Sequence, residues 1–221
     1  MVNKKTFSDN IKIISFDLDG TLVKSTYANS VWLEGVPNLY AKEKKLPLED
    51  VKKFVFQEYY KIGENKKEWY DIDWWFKYFK INGSWKQLLD EYRFAVEIYP
   101  DTIETIKKLS KKFNLIIISN AKREFIDIQI EETKIKDYFS YAFSSISDFE
   151  IVKKKPKVYK EICDKLKIKT NEIVHIGDSK EFDFESPQKI GIKSYYINRE
   201  KTDKSSDVIH TLFELEKLLN L

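Results

Sequence analysis

The 221-residue chain has a single cysteine, Cys163. It can therefore form no internal disulfide and no multi-cysteine metal centre, and Cys163, set in a helical pattern, reads as a small packing residue. Long apolar runs are also missing. None approaches the ~18 residues needed to span a bilayer, and the polar start Met1-Val2-Asn3-Lys4-Lys5 lacks the apolar run and small-residue cleavage site of a signal peptide. The expectation is no membrane partner and a cytoplasmic location. An excess of either charge is absent too, since 39 Lys and Arg against 36 Asp and Glu leave +3. The basic residues are scattered, and only Arg93, Arg123 and Arg199 are arginines. Nucleic-acid binders concentrate charge and use Arg to read bases, so no nucleic-acid partner is expected.

What is present is enough apolar residue, 42%, to bury a real core, either as one α/β domain with an insertion or as two modest domains. The most chemically loaded stretch is Phe16-Asp17-Leu18-Asp19-Gly20-Thr21, which closes the apolar run Ile11-Lys12-Ile13-Ile14-Ser15. Successive strand residues point to opposite faces, but a Gly-containing turn lets both carboxylates swing to one mouth. Two acids at one substrate suit phosphoryl transfer, with one as nucleophile and one handling the leaving-group proton. The plain alternative is a strand end with an Asx-type turn and Thr21 as a helix cap.

Between residues 25 and 96 the chain changes character, and all five tryptophans (Trp32, Trp69, Trp74, Trp75 and Trp85) fall there. Helical spacing over 51–60 and 72–79, with Trp74, Trp75, Tyr78 and Phe79 as a stripe, predicts a helical insertion, residues 25–96, in an α/β core made of 1–24 and 97–221. That stripe reads as core or subunit interface, so substrate selection is expected from polar residues at loop tips of the insertion. From Tyr99-Pro100-Asp101 onward, helices alternate with apolar runs: a helix through Ile103, Ile106 and Leu109, a strand over 115–118, a helix over 123–133 and a strand over 141–143. A helix over 156–166 and strands over 173–176 and 194–197 complete the pattern. Such alternation predicts an open, mostly parallel, Rossmann-like sheet with helices on both faces.

Ligands of such sheets bind beyond the carboxyl ends of the strands. Asp17 and Asp19 end the first strand, Ser119 and Asn120 the second, and Gly177-Asp178-Ser179 the fourth, with Asp183 just beyond. Lys155, next to Pro156, precedes a helix. Asp17 and Asp178 suit Mg²⁺, with Asp183 ligating it or orienting a water. The Ser119 hydroxyl and the backbone N–H groups of Leu18 and Asn120 suit phosphoryl oxygens, and Lys155 supplies a point charge against the transferring group. Of the Lys153-Lys154-Lys155 run, only Lys155 is assigned to catalysis. His175 reads as a packing histidine inside the fourth strand, and His210 as part of the terminal helical segment.

These elements, Asp17-Leu18-Asp19-Gly20-Thr21, Ser119, Lys155 and Gly177-Asp178-Ser179 with Asp183, resemble in order the four motifs of the haloacid dehalogenase-like hydrolase superfamily. The resemblance implies that Asp17 is the nucleophile forming an aspartyl-phosphate and that Asp19 is the general acid and later base. It also implies that Asp178 and the Asp19 main-chain carbonyl help hold Mg²⁺, and that 25–96 is a helical cap. Phe184-Glu185-Ser186-Pro187 departs from the Gly-Ala pair often found after the fourth motif. An acid at position 19 favours a phosphatase of small phosphorylated metabolites over a dehalogenase, whose halide leaves without a proton. A phosphomutase keeps both acids and stays open, as does a non-catalytic interaction protein. Monomer and homodimer are both compatible with the sequence.

Overall fold

The computed structural model describes residues 10–152, 154–201, 205 and 207–219. Six strands, β1 (Ile13–Phe16), β2 (Asn114–Ser119), β3 (Phe139–Ser144), β4 (Ile173–Gly177), β5 (Lys193–Ile197) and β6 (Val208–Ile209), lie in the order β3-β2-β1-β4-β5-β6. Every pairing is parallel. The sixth strand was not expected, because two residues pairing with Tyr196 and Ile197 are too short to show a period.

The apolar runs follow from burial on both faces of a parallel sheet. Alternation sends Ile14, Ile117 and Val174 to one side, against Ile106, Leu109, Ile126 and Ile130 of the helices Thr102–Leu109 and Arg123–Thr133. Their neighbours Ile13, Ile116 and Ile173 go to the other side, against Val158, Ile162 and Cys163 of the helix Pro156–Leu166. Cys163 is buried there as a packing residue, with its thiol pushed up to about 11 by burial.

The segment between Val23 and Ile98 adds no strand to this sheet. Its outgoing and returning ends lie side by side, with Val23 bridged to Ile98, Lys24 N–H donating to the Glu97 carbonyl at 2.8 Å and Tyr99 N–H to the Leu22 carbonyl at 3.1 Å. In between, the helices Val36–Lys44, Leu48–Ile62, Ile72–Phe79 and Trp85–Glu91 bury Tyr27, Val31, Val55, Trp75, Phe79 and Leu88 in a cluster that also takes in Phe125 from the sheet's own helical layer. The Asp71 side chain caps Ile72–Phe79 by accepting from Trp74 N–H at 3.3 Å. The aromatic stripe on that helix divides: Trp75 and Phe79 are core, while Tyr78 stacks on Trp74 at 4.8 Å and is 44% exposed.

Thr21 caps no helix. It is buried, the next helix begins at Thr26, and its carbonyl accepts from Arg199 Nη2 at 2.5 Å. The Arg199 guanidinium also reaches Asp101 Oδ2 at 2.6 Å and lies 3.9 Å from the centre of the Tyr99 ring. Asp101 Oδ2 in turn accepts from Leu212 N–H at 2.8 Å, so one ion pair ties the loop after β1 to the last helical segment. His210 lies in the turn between β6 and the helix Glu214–Leu218, not within that helix, with Nδ1 2.9 Å from the Asn198 carbonyl oxygen. Replacing Arg199→Met removes the cation and leaves a buried carboxylate short of its partner. The expected cost is about 3 kcal/mol, read as a lower urea midpoint with an unchanged slope. A loss under ~0.5 kcal/mol, typical of an ordinary surface position, would show that the pair does not tie these segments together.

Candidate active site

The chain builds outward from β1 through β2 to β3, then restarts at β4 on the other side of β1. The carboxyl ends of β1 and β4 therefore flank the crevice where the winding reverses. Asp17 and Asp19 follow β1, Ser119 ends β2 and Asp178 follows β4. A cavity of about 610 Å³ opens over this edge and is lined by all four, together with Asn120, Lys154 and Asp183.

Two glycines permit the close approach. Gly20 has φ +80°, and a Cβ there would lie 2.0 Å from Asp178 Oδ2; at Gly177 it would lie 2.3 Å from Asp183 Cγ. Asp183 sits in a π-helical turn, Lys180–Glu185, started by Ser179, whose hydroxyl accepts from Phe182 N–H at 3.2 Å. This wide turn continues into Ser186–Gln188, so Phe184-Glu185-Ser186-Pro187 is accommodated by a bulged helix start.

The cation at the centre is Lys154, and the expectation for Lys155 is corrected. Lys154 is 1% exposed; its ammonium pairs with Asp17 Oδ1, with Asp183 Oδ1 at 2.6 Å and with the Ile118 carbonyl at 3.1 Å. Lys155 is exposed and serves as the residue preceding the helix Pro156–Leu166. The backbone at Lys155 is extended, φ −79° and ψ 163°, so adjacent side chains diverge and only one of the pair can face inward.

The carboxylates are shaped by what surrounds them. Burial drives the Asp17 carboxyl well above its ordinary range, with Lys154 opposing and Asp183 and Asp178 adding to the rise. Burial likewise pushes Asp19 up to about 6, against the pull of the Gln129 hydrogen bond and of Lys154. Asp178 keeps an exposed edge, yet the desolvation of its carboxyl and the charge of Asp183 raise it to about 6. Asp183 runs the other way. Burial disfavours its charge, but Lys154 and the hydrogen bond from His175 hold it well below the usual carboxylate range. Lys154 is raised above its ordinary value because Asp17 and Asp183 outweigh desolvation.

Asp17, Asp178 and Asp183 each offer an oxygen within 4.8 Å of the others. Three acids served by one ammonium are short of positive charge, and this hard-oxygen set fits a divalent cation such as Mg²⁺. The Asp19 carboxylate lies outside the triad; its buried Oδ1 has no hydrogen-bond partner among the described residues. Ser119 Oγ accepts from Ala121 N–H at 3.1 Å, which leaves its own proton to donate, and Asn120 Oδ1 accepts from Ser145 at 3.2 Å. The Leu18 side chain is core, and its carbonyl closes the turn by accepting from Leu22 and Val23.

Two positioning residues escaped the sequence reading. His175 Nδ1 lies 2.8 Å from Ser15 Oγ and its Nε2 lies 3.1 Å from Asp183 Oδ1, so this histidine orients an acid in addition to packing. Gln129, fully buried on the helix Arg123–Thr133, donates to Asp19 Oδ2 at 3.4 Å. A polar residue on the buried face of that helix was its only signal in the sequence.

A family model described as haloacid dehalogenase-like hydrolase matches residues 14–197. The fold superposes on the crystal structure of a HAD phosphatase from Thermococcus onnurineus with a TM-score of 0.82 and 25% identity, covering 95% of this chain and 98% of that one. A GMP/IMP nucleotidase of Escherichia coli (strain K12) is 21% identical over 179 residues, 77% of this chain and 75% of the nucleotidase. An (S)-2-haloacid dehalogenase 4A of Burkholderia cepacia is 29% identical over 115 residues, 52% of this chain; the match spans about half of that relative, 48%.

The inward position of Lys154 has a direct test. Lys154→Met leaves Asp17 and Asp183 without their shared cation, and stability should fall by about 3–5 kcal/mol, as when one partner of a buried pair is removed. Lys155→Met should stay within about 0.5 kcal/mol of the parent. Paired chemical denaturation curves check both, and equal losses would contradict the placement.

Proposed function

The chain belongs to the haloacid dehalogenase-like hydrolases, and we propose that within that family it is a Mg²⁺-dependent phosphomonoester hydrolase acting through an aspartyl-phosphate on Asp17. The observation that carries this reading is Asp19, a second carboxyl on the same cavity with burial favouring its protonated form. A departing alkoxide needs a proton and a departing halide does not. Similarity to a HAD phosphatase and to a GMP/IMP nucleotidase supports the same choice, but a 2-haloacid dehalogenase structure superposes over an equal share of the chain, 95%, so it is Asp19 that carries the distinction.

In this reading an Asp17 oxygen attacks phosphorus, the P–O bond to the ester oxygen breaks, and Asp19 gives its proton to that oxygen. The Asp19 carboxylate then takes a proton from water, whose oxygen attacks the phosphorus of the aspartyl-phosphate and frees phosphate and Asp17. Ser119 donates its hydroxyl proton to a phosphoryl oxygen, and Lys154, held by Asp183, sets its positive charge beside the transferring group. Lys154 thus takes the role that the sequence assigned to Lys155. Asp17, Asp178 and the Asp19 main-chain carbonyl are the proposed ligands of Mg²⁺, and Asp183 holds Lys154 and orients a water. When bound, the cation supplies charge neutralisation for an anionic nucleophile meeting an anionic ester.

Phosphate release from small phosphomonoesters should require added Mg²⁺ and stop with chelator. Asp17→Asn should leave no turnover and no hydroxylamine-labile phosphoenzyme, whereas Asp19→Asn should keep the nucleophile and lose on the order of 10²–10⁴-fold in rate. The Asp19 loss should shrink with an aryl ester whose leaving group needs no proton. Activity that persists in metal-free protein, or phosphate trapped on Asp19, would overturn the scheme; isomerised sugar phosphate without net phosphate release would make the protein a mutase.

A further inference from the structure

The roof of the cavity differs in kind from its floor. Among the described residues, the charged ones lining it, Asp17, Asp19, Asp178, Asp183, Lys154 and Lys122, all come from the sheet side. Lys122 is already matched, with Nζ 2.8 Å from Asp71. The helical insertion contributes no charged side chain to the lining, only Ala28, Asn29 and Leu33 beside a group of aromatic rings.

Those rings form a connected wall. Trp32 lies parallel to Phe125 at 5.6 Å and edge-on to Tyr59 at 5.9 Å, and Tyr59 meets Trp69 at 6.2 Å, which meets Tyr60 at 6.4 Å. Two of their polar tips are already engaged. The Tyr59 hydroxyl donates to the Trp32 carbonyl and the Tyr70 hydroxyl to the Glu64 carbonyl, each at 3.2 Å. The wall therefore offers mainly ring surface to whatever is attached to the phosphate.

We propose that the preferred substrate is the monophosphate of an aromatic or heteroaromatic alcohol carrying no second charged group. This rests on the hydrolase reading and deepens it. A sugar or polyol phosphate would set several hydroxyls against a mostly apolar wall, and each hydroxyl left unpaired costs roughly 1–3 kcal/mol. A second phosphate or carboxylate would find no free cation on the roof. A flat ring gains area and edge or face contacts with Trp32, Tyr59 and Trp69, and a volume of about 610 Å³ accepts a one- or two-ring body with its phosphate.

The test uses the full chain with Mg²⁺ and substrates whose alcohols have similar acidity: benzyl phosphate and 2-naphthylmethyl phosphate against glycerol 3-phosphate and glucose 6-phosphate. The aromatic esters should lead by about 10²-fold or more in kcat/KM, mostly through KM. Trp69→Ala should narrow the gap at least about tenfold, while Trp74→Phe, outside the lining, should not; thermal melts establish that both variants are folded. Binding is measured separately with non-hydrolysable 2-naphthylmethyl and glucose phosphonates, followed by tryptophan fluorescence. Equal kcat/KM across the four esters, or equal phosphonate affinities, would overturn the proposal while leaving the hydrolase reading intact. No phosphate release from any ester, with selective binding of the naphthyl phosphonate, would overturn the hydrolase reading and keep the aromatic site.

Discussion

The site depends on one buried ammonium. Lys154 reaches between Asp17 and Asp183 on an edge that also carries Asp19 and Asp178. Carboxyl groups taken out of water together would otherwise take up protons: burial raises Asp17, Asp19 and Asp178, and at Asp17 and Asp178 the neighbouring carboxylates add to the rise. A single lysine is not enough to neutralise the cluster. That shortfall makes the cluster receptive to a divalent cation.

The wider arrangement was legible because it depends on local pattern. Runs such as Leu115-Ile116-Ile117-Ile118 mark strands buried on both faces, and once the strands are parallel, every residue just past a strand end shares one edge. Asp17, Ser119 and Asp178 could therefore be brought together from spacing alone. Lys154 could not be separated from its neighbours this way. Residues 153–155 are three identical side chains in sequence, and the extended backbone at Lys155, which sends it and Lys154 apart, leaves no mark in that run. The contacts of His175 with Asp183 and of Gln129 with Asp19 depend on how helices settle on the sheet, which no short-range period records.

The aromatic insertion is helical, as its spacing implied, and what it turns toward the cavity is mainly aromatic. Trp74, Trp75, Tyr78 and Phe79 stand out because they share a helix, and that helix serves mainly to pack the insertion on itself. The rings that face the reacting groups come from several segments: Trp32 from one wide helical turn, Phe56, Tyr59 and Tyr60 from Leu48–Ile62, and Trp69 and Tyr70 from the short turn that follows. Their convergence is tertiary and leaves no stripe in the sequence.

Charge on the floor and rings on the roof also act on each other. Desolvation is the largest influence raising Asp19, which lines the same cavity as the aromatic roof. An apolar cover strengthens the attraction of Lys154 for an incoming phosphoryl group, because the effective dielectric falls as water is excluded. A polar roof of the same shape would hold water near the carboxyl groups and weaken that attraction. The rings over this sheet edge thus bear on the charges below them, in addition to shaping what fits above.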